Sequence, residues 1–197
     1  NRKSFTTGHT GFGIPFAVWP DRSDVPRNAA RVLRYIDRYV TVNQGSVFYI
    51  TEALAQLEGL ERGPAGNTSL TAAFSLARDL GEEEVIVVNE TEYTSAGKHP
   101  YEQITFARKM GIEIFRGEPS MERPGENIVI PIGPEQVTAG EVDLDGLRES
   151  YVKNACKGLG EDRSITRVDL DFICDDTRLT EEKGLELLAA KGVNLSA

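Results

Sequence analysis

The sequence predicts an α/β domain with parallel strands covered by helices, followed by a helical C-terminal tail. Residues 68–132 alternate between helix-like and strand-like patterns, as they do where crossover helices join parallel strands. Within them Val85-Ile86-Val87-Val88 is an unbroken β-branched run, which suits a strand buried on both faces. After Pro134 charged amphipathic segments take over. The expected division is therefore an α/β body over 1–134 and a helical tail over 135–197.

Taken in order, residues 1–27 are irregular, with Gly8, Gly11, Gly13, Pro15, Pro20 and Pro26 breaking any period. From Asn28, a plausible N-cap, Ala29, Val32, Leu33 and Ile36 recur at helical spacing, and Val40-Thr41-Val42 is a short β-branched stretch. Ser46 is read as the cap of a second helix with Ile50, Leu54 and Leu57 on one face, ending near Gly59. Asn67 or Thr68 opens a third helix that stops by Gly81. Glu84–Asn89 is the buried strand, and a polar loop over 90–99 follows it. Pro100 begins a helix, where its missing N–H costs nothing, and that helix runs to Gly111. Ile112–Phe115 and Asn127–Ile132 read as further strands. The tail holds helices at 143–158 and 179–191, with another around 168–175.

Hydrophobic residues make up 40% of the 197-residue chain and charged residues 27%, sufficient apolar material for a core. The net charge of −9 repels phosphate backbones and anionic lipids, so neither nucleic acid nor membrane is expected as a partner. No apolar run approaches the roughly 20 residues that cross a bilayer, and no signal peptide is visible, so the expected compartment is the cytoplasm. Cys156 and Cys174 are too few for a disulfide framework and read as reduced thiols. The first motif arrives directly behind Asn1, which suggests a portion of a longer polypeptide.

Three segments are candidates for chemistry. In Gly8-His9-Thr10-Gly11-Phe12-Gly13 the glycines could bring backbone N–H groups to an anion, or serve only a tight loop. The segment lacks the Gly-Lys-Ser/Thr ending of a phosphate-binding loop and the spacing of a dinucleotide fingerprint. His9 within it is a candidate for catalysis or ligand contact, against the plainer role of a surface histidine. Neither His9 nor His99 has partners at metal-ligand spacing, so no metal is expected. Gly63-Pro64-Ala65-Gly66-Asn67-Thr68-Ser69 is a glycine loop entering a helix, which suits an anion or a ring edge and equally a simple cap. Asn89 to His99 begins where the buried strand ends, the sheet end at which ligands collect in open α/β folds.

The runs Ser4–Ala17, Trp19–Arg27, Gly59–Asn67 and Glu90–Thr94 closely resemble the beta-subunit family of 2-amino-4-oxopentanoate thiolases. Those subunits are fold type II pyridoxal-phosphate enzymes, related to threonine synthase and the tryptophan synthase beta chain. The resemblance covers most of residues 3–110 and continues more loosely beyond. It implies a C-terminal part of the subunit. The Schiff-base lysine, the asparagine loop and the phosphate loop would lie in an N-terminal part, and Lys3-Ser4-Phe5 has the wrong order for the Ser-Phe-Lys-type lysine motif.

Thr94-Ser95-Ala96-Gly97 resembles the Thr-Gly-x-Gly or Ser-Gly-x-Gly turn whose hydroxyl bonds the pyridine nitrogen in that fold group. This makes Thr94 the first choice and Ser95 the second, and the loop with Gly66 and Asn67 matches the one packing beside the cofactor ring. A neutral hydroxyl at the nitrogen leaves the ring a weaker electron sink than a carboxylate would. The reaction implied is pyridoxal-phosphate-dependent cleavage of 2-amino-4-oxopentanoate by coenzyme A to alanine and acetyl-coenzyme A, a step of ornithine degradation. A small alpha subunit is implied as partner, in a hetero-oligomer or around a homodimer of beta subunits. The rival readings are another fold type II enzyme acting on an amino acid, such as a lyase or a threonine synthase relative, and a non-catalytic α/β binding domain.

Overall fold

A computed structural model describes residues 33–35, 37–64, 66–89, 100–123, 126–160 and 162–196. Contacts among them separate two compact units, one over residues 40–140 and one over residues 33–39 with 141–197. The described residues are mixed α/β, with six α-helices and short strands.

In the first unit, β1 (Val40–Val42) pairs with β4 (Ala139–Glu141). Helix α1 (Gln44–Glu58) buries Val47, Phe48, Ile50 and Thr51, and ends at Gly59 in the left-handed conformation, φ 65°. Glycine reaches that conformation without the penalty a Cβ imposes. The helix starts at Gln44, two residues before the expected cap. Ser46 lies inside it, buried, with a hydroxyl that has no partner among the described residues. The free N–H groups of the first turn are met from a distance: the Glu122 carboxylate accepts from Gln44 N at 2.7 Å and Gly45 N at 2.9 Å. A helix end served in this way needs no local cap.

Helix α2 (Asn67–Ala77) follows the glycine loop. It is tied at its far end to β4 and the segment before it: Ser75 Oγ accepts from Ala139 N at 2.9 Å and the Arg78 guanidinium donates to Glu135 O at 2.8 Å. Helix α3 (Pro100–Lys109) leads into β2 (Glu113–Arg116), which pairs in parallel with β3 (Asn127–Ile130) in the register Glu113–Asn127 to Arg116–Ile130. Strand β3 stops before Pro131, sooner than expected. Prolines at 131 and 134 lack the N–H a ladder needs. Phe48, Ala107, Ile112 and Ile128 form the core here, flanked by Ile104, Ile114 and Ile130. Gly45 permits the closest approach: a Cβ there would stand 1.8 Å from Val129 O.

The expected strand over 84–89 is corrected. Glu84–Asn89 pairs with no strand, and Val85 and Val87 are 84% and 90% exposed. A β-branched run becomes a strand only where a neighbour supplies the ladder, and among the described residues none does.

The second unit holds α4 (Leu144–Ala155), β5 (Ser164–Ile165), α5 (Arg167–Thr177), α6 (Glu181–Ala189) and β6 (Asn194–Leu195), with β5 and β6 parallel. Each helix starts on a local signal. Asp143 accepts from Asp145 N and Gly146 N, Thr166 and Asp169 form a capping box, and Thr180 accepts from Lys183 N. Leu33, Leu147, Tyr151, Val152, Leu170 and Leu188 lie in its core. Arg178 Nε donates to Arg34 O at 2.8 Å, fastening the 33–39 segment to the turn after α5. The helix expected from Asn28 lies mostly outside the described residues.

Candidate functional site

The site is built where α2 begins. The loop before it is buried at Gly63, Pro64 and Gly66. Gly66 occupies the N-cap position with helical backbone angles and Asn67 is already the first helical residue, so the Asn67 side chain does not cap as expected. It turns inward instead. Asn67 is fully buried, and its Nδ2 donates at 2.9 Å to Thr51 Oγ1, which donates at 2.7 Å to Val47 O. This relay fixes the start of α2 to the middle of α1. Asn67 Oδ1 has no hydrogen-bond partner among the described residues, an acceptor that a buried environment ordinarily fills.

On the open side of the same turn the Ser69 hydroxyl reaches two carbonyls, Gly66 O at 3.0 Å and Asn89 O at 3.2 Å. The second contact places the end of the Glu84–Asn89 stretch against the first turn of α2. Asn89, the first residue of the segment Asn89–His99 singled out in the sequence, thus touches the 63–69 segment. The first-turn N–H groups of a helix have no partners further along it and form the positive end of its dipole. A spare acceptor, a hydroxyl and that turn suit a ligand with both an anionic or ring edge and a donor.

Of the residues predicted for the site, Gly66 and Asn67 lie at this turn, while His9, Thr94 and Ser95 fall outside the described residues. Sequence reasoning missed Thr51, whose part depends on a partner 16 residues away. It also missed an open cleft of about 350 Å³ beside α1, where Phe48, Ile104 and Ile130 meet the polar side chains of Tyr49, Glu52 and Arg116. Glu122 was equally unmarked. Burial pushes its carboxyl above the usual range, and the N–H groups of Gly45, Val129 and Gln44 pull the other way. Among the described residues no group of three or more histidine, cysteine or acidic side chains could hold a metal ion, and no helix is long and apolar enough to cross a membrane.

Two curated proteins set these features in context. The chain is 57% identical over 195 residues to a 2-amino-4-ketopentanoate thiolase beta subunit from an unidentified prokaryote, across 99% of this chain and 41% of that protein. It is 57% identical over 182 residues to the protein of the same name from Acetoanaerobium sticklandii, across 92% of this chain and 39% of that protein. The chain thus spans about two fifths of the length of the curated relatives it matches. No family model matches the chain, and no solved structure does.

Proposed function

We propose that this chain is the C-terminal portion of a 2-amino-4-oxopentanoate thiolase beta subunit, a cytoplasmic fold type II enzyme that binds pyridoxal phosphate. Identity of 57% sustained across 99% of the chain is the observation that carries the reading. In the proposed reaction coenzyme A cleaves 2-amino-4-oxopentanoate to alanine and acetyl-coenzyme A, within an assembly that includes a small alpha subunit.

The residues at the start of α2 are compatible with the edge of such a cofactor. Asn67 Oδ1 is buried and has no hydrogen-bond partner among the described residues, and it sits at a helix start, where backbone N–H groups lack partners within the helix. In this reading Gly66 and Asn67 flank the ring, and Thr94 or Ser95 donates a hydroxyl to its nitrogen. Thr51 holds the Asn67 amide in place through the 2.9 Å hydrogen bond, and Ser69 fastens Asn89, the last described residue before Thr94. Bound there, the cofactor supplies an electron sink for the pair released as the carbon–carbon bond breaks. The lysine that would hold it covalently is assigned to the part of the subunit with no counterpart here.

The test is a coenzyme-A-dependent assay on the full-length subunit containing this chain, combined with its alpha subunit. Alanine and acetyl-coenzyme A in equal amounts are the expected products. Turnover of the amino acid without coenzyme A would point to a lyase instead.

A further inference from the structure

The cleft beside α1 joins several features of a small-molecule site. Its volume of about 350 Å³ falls at the small end of the roughly 300–1,000 Å³ that such sites occupy. It lies at the carboxyl end of two parallel strands: Arg116 is the last residue of β2 and Ile130 the last of β3. Ligands of α/β folds collect beyond that end of the strands. Phe48, Ile104 and Ile130 supply its apolar lining. Arg116 and Glu52 bring opposite charges to the same cleft. Among the described residues the Arg116 guanidinium makes one hydrogen bond, to Pro131 O at 3.3 Å, and pairs with no carboxylate. Arg34, Arg167 and Arg178, by contrast, each hold an acid at 2.5–2.6 Å. A guanidinium offers five N–H donors in a fork that matches a carboxylate, so most of the Arg116 fork is unused. A carboxylate has about four acceptor positions, so Glu52 can take an ammonium alongside any other bond it makes.

We infer that this cleft binds a small aliphatic α-amino acid. The ligand's carboxylate meets Arg116 in a charge-assisted pair, its ammonium lies beside Glu52, and its side chain rests against Phe48, Ile104 and Ile130. A cation and an anion that line one cleft without bridging each other suit a ligand that carries both charges. A simple anion would gain Arg116 but meet repulsion from Glu52, and a simple amine the reverse. The inference goes beyond the thiolase reading and does not depend on it.

The experiment photolabels the full-length subunit containing this chain with photo-leucine, a leucine analogue that carries a diazirine, and maps the label by peptide mass spectrometry. Label is expected on peptides that hold Tyr49–Gln56 or Ile130, and norvaline should displace it. Pentanoate, which lacks the ammonium, and butylamine, which lacks the carboxylate, should each need at least about tenfold more for the same displacement. Arg116→Met keeps an unbranched side chain, removes the fork and should weaken labelling at least about tenfold. Glu52→Gln should narrow the gap between norvaline and pentanoate. Competition in the unsubstituted protein decides the matter even where a variant fails to fold. Label in the cleft that norvaline does not displace would overturn the inference, and so would undiminished labelling of a folded Arg116→Met variant. Pentanoate competing as well as norvaline would reduce the cleft to a simple anion site and overturn it too. Thiolysis by a subunit that takes no label in the cleft would likewise overturn it, and would leave the thiolase reading in place.

Discussion

The Glu122 carboxylate, on the connection between β2 and β3, accepts the Gly45 N–H at 2.9 Å and so joins the first turn of α1 to the sheet. The same oxygen accepts Val129 N at 3.1 Å, and the other takes Gln44 N at 2.7 Å. One side chain thus serves three backbone donors from two elements.

Glu122 gives a pH dependence with a definite sign. Its carboxyl is raised in the folded protein, chiefly by burial. Its contribution to stability is therefore fully present below the unfolded carboxylate value and is lost as pH rises through the raised folded value. Urea unfolding between pH 4 and 7 should show Glu122→Gln with a flatter profile than the parent. The glutamine offers one acceptor oxygen instead of two, so at least one buried N–H goes unpaired, costing about 1–3 kcal/mol. Parallel profiles for the two proteins would show that Glu122 does not titrate differently on folding.

Gly45→Ala tests the contact between α1 and β3. The added methyl would meet Val129 O at 1.8 Å and Val129 C at 2.3 Å, and backbone cannot rotate aside as a side chain can. A loss of about 3 kcal/mol or more is expected. Gly158→Ala is the comparison: its Cβ would meet nothing within 4 Å, so it should be neutral or gain up to about 1 kcal/mol through the unfolded chain. Equal denaturation midpoints for the two variants would contradict the packing described.

Thr94→Val and Ser95→Ala decide which hydroxyl serves the proposed cofactor. A ring nitrogen deprived of its partner loses about 1–3 kcal/mol, or roughly 5- to 150-fold in cofactor affinity at ~1.4 kcal/mol per tenfold. Titrating pyridoxal phosphate into the full-length subunit should show that loss for Thr94→Val and a smaller one for Ser95→Ala. The reverse order moves the assignment to Ser95, and no loss in either variant removes the loop from the site.

Burial raises both thiols, and at Cys174 the charges of Asp171 and Glu181 raise it further. Because the thiolate is the reactive form, thiol titration at pH 7 should be slow in the folded protein and reach two equivalents in urea. Cys156, only 5% exposed, should react last. A thiol reacting at the rate of a free cysteine would mean that its surroundings open readily.

What was legible in the sequence was local. Asp143, Thr166 with Asp169, and Thr180 sit within three residues of the N–H groups they cap, so the tail helices could be read from spacing alone. The start of α1 could not, because its cap comes from Glu122, 78 residues from Gln44. For the same reason Asn67 was marked as a cap when its amide reaches back to Thr51. The glycine loop and the segment Asn89–His99 were both singled out, but not the contact of Ser69 with Asn89. The Val85–Val88 run announces a strand, yet pairing belongs to its neighbours and no sequence window contains them.

Leu33 shares a core with Leu147 and Leu170, although the residues of the first unit lie between them in the chain. Bringing Leu33 and Leu147 together closes a loop of roughly 110 residues, an entropic cost of about 4 kcal/mol if the intervening chain is still unfolded. Folding of residues 40–140 first shortens that search, because a condensed segment spans far less space than a coil. Contacts of such long sequence separation form slowly. The second unit should therefore consolidate after the first, and a substitution that delays folding around Gly45 should delay burial of Leu33 as well.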